Sequence, residues 1–246
     1  RELNLISKNK ISDHMYRLTF KSNDLHDFSD NETGGYVKLI FSKQSPNSNT
    51  HLVRPYTIRN FRKEKLEIDI DIVVHNEKKG LASCWALNAE VGDKIKISGP
   101  GSKQKLNGSL DWYFFIGDMS ALPAISVNLE MLSRNSRGII VLEVLSESDK
   151  IKISKPRNFS IYWVINPNKE IANKLYKKVK SIKWLRGKPF IWSACEFSDM
   201  KLLRQYFKNI GVEKENIYIS SYWKKNSDQE EHKLFKKQDN INWLKS

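Results

Sequence analysis

At Asp111 the hydrophobic pattern of the chain changes, which divides it into two folding problems. Before that point the apolar residues come in short alternating runs. Tyr16–Phe20 and Tyr36–Phe41 are two of them. In a third, Leu66, Ile68, Ile70, Ile72 and Val74 alternate with Glu67, Asp69 and Asp71, which is the signature of a half-buried strand. Lys94–Ser98 follows the Val91-Gly92-Asp93 turn, and Gly99-Pro100-Gly101 closes the unit. Ser45-Pro46-Asn47-Ser48-Asn49 reads as a polar loop, and one helix is expected from Gly80 to Asn88. Many short strands with one helix predict a small closed barrel.

After Asp111 the run Trp112-Tyr113-Phe114-Phe115-Ile116 is continuously apolar, as in a strand buried on both faces. Helices are predicted over 121–132, with Pro123 in the first turn, over 169–180 with Ile171, Leu175 and Val179 in one stripe, and over 198–209. They alternate with strands at 138–144, 161–165, 189–192 and 217–220. Such alternation predicts an α/β unit with a mostly parallel sheet. The segment after Trp223 reads as a short packed helix or a frayed end.

Composition narrows the partners. The chain has 246 residues, 39% hydrophobic and 11% aromatic, and a formal net charge of +14. That excess favours anionic partners. The basic residues do not cluster on one helix and no nucleic-acid recognition motif occurs, so a basic nucleic-acid-binding module ranks below an enzyme. No apolar run is long enough for a membrane span. Two distant cysteines, Cys84 and Cys195, make neither a disulfide framework nor a zinc site and fit a reducing, cytoplasmic setting. No metal-ligand set is expected, and the chain is expected to be a monomer.

The densest chemistry lies in Arg54-Pro55-Tyr56-Thr57-Ile58-Arg59. Strand alternation puts Arg54, Tyr56 and Ile58 on one face and Thr57 and Arg59 on the other. Guanidinium forks suit phosphate, a phenol offers a flat face, and a short hydroxyl can donate or accept. The set suits an aromatic ring joined to a phosphate, and at a strand end both faces could reach one flat ligand. Downstream, His75 ends the acidic strand, and the glycine-led helix start at Gly80 offers free N–H groups to an anion. In the α/β half, ligands are expected outside the carboxyl ends of the strands, at the loops 117–120, 193–196 and 221–224. No GxGxxG occurs there. Asp118 is also a natural helix cap, and Glu196 a natural helix-start residue.

Taken together, these segments resemble the siderophore-interacting protein family of ferric-siderophore reductases, which are ferredoxin-reductase-like flavoproteins. The resemblance runs from about Leu3 to about Trp223. Arg54–Arg59 resembles the family's R-x-Y-[ST]-x-R flavin motif. Asp71-Ile72-Val73-Val74-His75 is similar to its D-x-V-x-H strand end, and Gly80-Leu81-Ala82-Ser83-Cys84-Trp85 to its G-P-A-S-x-W phosphate loop. Gly117-Asp118-Met119-Ser120-Ala121-Leu122-Pro123-Ala124-Ile125 is similar to G-D-E-T-A-L-P-A-I, Trp192–Glu196 to W-x-A-G-E, and Tyr222-Trp223-Lys224 to Y-W-R. Cys195 stands where the family has glycine, so its side chain is expected to narrow the nicotinamide site. Lys224 keeps the charge of an arginine and loses its fork.

The resemblance implies a six-stranded antiparallel flavin-binding barrel over 1–108 and an NAD(P)H-binding α/β domain over 109–246, with a basic tail. It assigns FAD to Arg54, Tyr56, Thr57, Ile58, Arg59, Asp71, Val73, His75, Gly80, Leu81, Ala82 and Ser83, with Tyr56 and Thr57 next to the flavin ring. It assigns the reduced nucleotide to Asp118, Ser120, Ala121, Ala194, Glu196 and Trp223. The implied activity moves electrons from NADPH, NADH or a ferredoxin through FAD to an anionic ferric siderophore, such as a catecholate. A flavin-reductase-like enzyme with another acceptor is the alternative.

Overall fold

The computed structural model describes residues 1–45, 48–74, 80–103, 106, 110–227 and 229–245. Two compact units result. The first comprises Arg1–Lys105 with Ser126–Asn128 and Ser148–Ile153. The second comprises Leu106–Ile125, Leu129–Glu147 and Ser154–Ser246.

Six antiparallel strands close the first unit into a barrel. They are β1 (Glu2–Ser12), β2 (Met15–Lys21), β3 (Tyr36–Ser45), β4 (Ser48–Arg62), β5 (Glu67–Val73) and β6 (Lys94–Gly101), in the order β1-β2-β5-β4-β3-β6. Alternate residues fill the interior: Leu3, Leu5, Leu18, Phe20, Val37, Leu39, Ile58, Ile68, Ile70, Ile72, Ile95 and Ile97 form one buried cluster. Helix α1 (Leu81–Asn88) adds Ala82 and Ala86 to it, and Trp85 packs against it, stacked on Phe20 at 5.9 Å. The expected polar loop at 45–49 is narrower than its composition suggests. Ser48 and Asn49 belong to β4 and pair with Ser45 and Gln44, while Pro46 and Asn47 lie outside the described residues.

The alternating strand β5 differs from a half-solvated one. Asp69 and Asp71 are nearly as buried as its isoleucines because arginines from neighbouring strands lie over them. Arg17 binds Asp71 through two bonds of 2.7 and 2.8 Å. Arg62 binds Asp69 through two more and reaches Glu67 at 2.9 Å, and the Thr19 hydroxyl donates to Asp69 at 2.8 Å. Two-pronged guanidinium–carboxylate pairs of this kind fix direction as well as charge.

The second unit is a five-stranded sheet, β7 (Trp112–Asp118), β8 (Arg137–Val144), β9 (Asn158–Ile165), β10 (Pro189–Glu196) and β11 (Ile217–Trp223), in the order β11-β10-β7-β8-β9. Every pairing is parallel. Helices α2 (Leu122–Met131), α3 (Lys174–Ser181), α4 (Phe197–Asn209) and α5 (Gln229–Lys245) complete it. Gly117 is required for close approach: a Cβ there would lie 2.8 Å from both Ala121 Cβ and Ile125 Cδ1. One expected helix is shorter than predicted. Residues 167–169 form a 3-10 turn, Lys169 and Asn173 have positive φ of 53° and 60°, and α3 begins only at Lys174. Ile171 is therefore exposed, and Leu175 and Val179 alone carry the buried stripe. The last segment resolves as a 17-residue helix, α5.

Candidate active site

The Arg54–Arg59 stretch lies inside a 15-residue strand, not at a strand end as expected. Its openness has another origin. β4 pairs with β3 up to Thr57, opposite Tyr36, but with β5 only from Ile58, opposite Ile70. Among the described residues, 54–57 thus have an edge that no strand covers. Pro55 contributes no N–H in any case. A register irregularity follows between Ile58 and Asn60. The strand therefore presents Arg54, Tyr56 and Thr57, all half-buried, where backbone pairing stops.

Among the described residues, Arg54 donates only to the carbonyl of its neighbour Val53, at 3.1 Å. Tyr56 packs against the barrel cluster; burial pushes its phenol up, and the Arg54 charge pulls it partly back. Ile58 is wholly buried in the core, so its side chain supports the strand from inside. Asp71 is held by Arg17, and Val73 is half-buried at the end of β5. His75 lies outside the described residues.

At the start of α1, Gly80 is the N-cap, and glycine has no side chain with which to cap the first turn. Leu81 is exposed, whereas Ala82 and Ser83 are buried. A Cβ on residue 80 would come to 3.3 Å of Ser83 Cβ, so glycine keeps the approach to this turn open. Helix starts of this kind carry partial positive charge and N–H donors. A half-buried guanidinium with no carboxylate partner among the described residues, a phenol face and a glycine-led helix start within one unit fit a ring linked to a pyrophosphate.

In the second unit the expected nucleotide residues bind one another. Asp118 is buried. Its Oδ1 accepts from Ser120 N at 2.9 Å and Ser120 Oγ at 2.5 Å. Its Oδ2 accepts from Glu196 N at 3.0 Å and Trp223 Nε1 at 2.9 Å. It is not the helix cap that its position suggested: Ala121 is the N-cap of α2, without a side-chain bond. Asp118 instead ties the ends of β7, β10 and β11 together. Glu196 does cap α4, accepting from Ser198 N at 2.6 Å, and its other oxygen takes Lys225 N at 3.1 Å. Ala121 and Ala194 are fully buried. The Cys195 side chain does not narrow this edge. It sits in the apolar cluster with Ile116, Met200 and Leu203, where burial pushes its thiol up.

Sequence reading missed Lys169. Its ammonium lies among three carboxylates, 2.5 Å from Glu143, 3.4 Å from Asp199 and 3.6 Å from Asp118, and 5.5 Å from the centre of the Trp223 ring. Burial pulls its pKa down, but those three charges more than reverse this and hold it above the ordinary lysine range. Burial pushes the Glu143 and Asp199 carboxyls up, with Lys169 opposing. No local pattern marks this lysine, because its partners come from β7, β8 and α4. Among the described residues no cluster of histidine, cysteine and acidic side chains is set to hold a metal ion, and no helix is long and apolar enough to cross a membrane.

The family model of the siderophore-interacting FAD-binding domain matches residues 4–53 and 43–104, and that of the siderophore-interacting protein matches residues 110–226. The chain is 28% identical to the ferric vibriobactin reductase ViuB of Vibrio cholerae, over 94% of this chain and 91% of that one. It is 22% identical to the NADPH-dependent ferric-chelate reductase of Escherichia coli, over 91% and 92%. Among solved structures, the siderophore-interacting protein SipS of Aeromonas hydrophila superposes with a TM-score of 0.85 at 27% identity, covering 98% of each chain.

Proposed function

The chain belongs to the siderophore-interacting protein family, and we propose that it is an FAD-dependent reductase that passes electrons from NADPH or NADH to a ferric siderophore. One observation carries this: a stretch of β4 that no strand covers among the described residues, bearing Arg54, Tyr56 and Thr57, shares a unit with a glycine-led helix start at Gly80. Bound FAD would supply the redox chemistry that links a two-electron hydride donor to a one-electron acceptor such as Fe(III).

The chain's own residues bind and orient. Arg54 and the first-turn N–H groups of α1 hold the pyrophosphate, with Arg59 a further basic group on the other face of the strand. Tyr56 offers its ring face to the isoalloxazine, and Thr57 offers its hydroxyl near the reactive N5. Asp71 and Val73, at the end of β5, belong to the same FAD-binding set. Asp118, Ser120, Ala121, Ala194, Glu196 and Trp223 form the edge that takes the reduced nucleotide, within a nucleotide half spanning 109–246. No side chain needs to act as acid or base.

The substrate metal obeys a simple preference: Fe(III) is held tightly by hard oxygen donors and Fe(II) less so, so reduction frees the iron. A net charge of +14 favours the approach of anionic ferric chelates, catecholates included. Two free cysteines suit work in the reducing cytoplasm.

The test is an absorbance spectrum of the purified protein with FAD supplied, followed by anaerobic addition of NADH, NADPH or reduced ferredoxin. A ferric siderophore, oxidised ferredoxin or free flavin is then offered as acceptor. Bleaching by a reduced nucleotide and recovery with the ferric siderophore are expected. Failure to take up FAD in excess overturns the proposal, and recovery only with ferredoxin or free flavin replaces the acceptor.

A further inference from the structure

The carboxyl edge of the sheet holds an arrangement that binding a nucleotide does not by itself explain. Three acids, Asp118 on β7, Glu143 on β8 and Asp199 on α4, converge on one nearly enclosed lysine. Asp199 Oδ1 is buried with no hydrogen-bond partner among the described residues. Uncompensated carboxylates in such a place are costly, so the lysine is what lets the cluster persist. Lys169 reaches it because the backbone departs from helix there, with φ of 53°. The Asn166 amide, bonded to Glu143 Oε2 at 3.1 Å and to the carbonyl and N–H of Ile171, pins the same turn.

Two members of this cluster act on the same ring. Asp118 Oδ2 accepts from Trp223 Nε1, which fixes the edge of the indole. The Lys169 ammonium lies 5.5 Å from the ring centre, which holds the face. Lys225 Nζ donates to the Lys169 carbonyl at 3.0 Å and joins the loop after β11 to the same turn.

We propose that Lys169 is a positioning residue for the reduced nucleotide: gathered among Asp118, Glu143 and Asp199, it sets the orientation in which Trp223 meets that ligand. The inference deepens the reductase reading and rests on it. Lys169 itself is nearly enclosed, with 12% of its side chain accessible, so it acts through the indole and not as a phosphate ligand.

The test uses the FAD-loaded full chain and anaerobic stopped-flow reduction by NADPH and NADH, which separates nucleotide affinity from the limiting reduction rate. Lys169→Met and Trp223→Ala are each expected to weaken nucleotide affinity about fivefold with little change in the limiting rate. The double variant is expected to match the worse single one, because both remove one unit. FAD content and reduction by dithionite should not change. Arg204→Met, which breaks the Arg204–Asp239 pair elsewhere in the sheet unit, serves as a destabilised control and should keep wild-type affinity. If Lys169→Met does not fold, Lys169→Met/Glu143→Gln removes one stranded charge and should show the same loss. Wild-type affinity in a folded Lys169 variant, or losses that multiply in the double variant, overturns the inference. A wild-type protein that neither nucleotide reduces overturns the reductase reading, and the inference with it.

Discussion

Asp118 and Trp223, 105 residues apart in sequence, are joined by a 2.9 Å hydrogen bond from the indole Nε1 to the carboxylate Oδ2. It closes the gap between the central strand β7 and the outer strand β11, which are not neighbours in the sheet. Trp223→Phe keeps the ring and removes this donor. The sheet unit should lose about 1 kcal/mol, read as a lower urea midpoint with unchanged slope. An unchanged midpoint would mean the bond adds nothing.

Gly117 sits where α2 descends onto β7. Gly117→Ala would place a methyl 2.8 Å from Ala121 Cβ and Ile125 Cδ1 and 3.1 Å from the Ala194 carbonyl. Overpacking of this kind costs about 1–3 kcal/mol. Thermal unfolding of the variant should show the loss, and tolerance would mean α2 can move away.

Asp69 gives the barrel its own response to acid. Burial pushes its carboxyl up, but the Arg62 and Thr19 hydrogen bonds and the Arg62 and Arg17 charges outweigh this and hold it below its ordinary 3.8. A depressed folded pKa means the stability it contributes is present above 3.8 and lost as pH falls through the lower folded value. Asp69→Asn should flatten the barrel's stability profile in that acid range. Parallel profiles for variant and wild type would remove Asp69 as the source.

Glu143 has the opposite sign. Burial raises its carboxyl above the ordinary 4.5, against the pull of Lys169 and Asn166. Its unfolded form ionises first, so its contribution is favourable below 4.5 and erodes as pH rises towards the folded value. Glu143→Gln should therefore reduce the loss of sheet-unit stability on going from mildly acidic to neutral pH. A steeper loss in the variant would contradict the shift.

Arg54 and Thr57 lie on β4 where, among the described residues, no strand pairs with its second edge. Arg54→Ala should weaken FAD binding about tenfold or more, as expected for losing charge-assisted bonds to a phosphate, measured by flavin fluorescence titration. Thr57→Ala should leave FAD bound and slow its reduction. Wild-type values in both would count against their placement at the flavin.

The sequence by itself determined the periodicities and the motif chemistry. The alternation of Leu66–Val74, the continuous Trp112–Ile116 run and the glycine-led start at Gly80 each carry their own local signal, so the barrel, the parallel sheet and α1 were all legible. So was the family, through short motifs in order along the chain. Tertiary structure alone decided what lies opposite what. Among the described residues strand β4 is open at Arg54–Thr57 because its partner β5 pairs only from Ile58, and a register between strands has no local mark. Cys195 faces the core because of the phase of β10, and Asp118 serves as a tie between strands because Glu196 and Trp223 arrive beside it. Lys169, predicted as the first residue of a helix, ends buried among three acids from three separate elements. Charges that meet only after the chain has closed cannot be read from the spacing of any one segment. Their energies depend on distance and burial, and folding sets both.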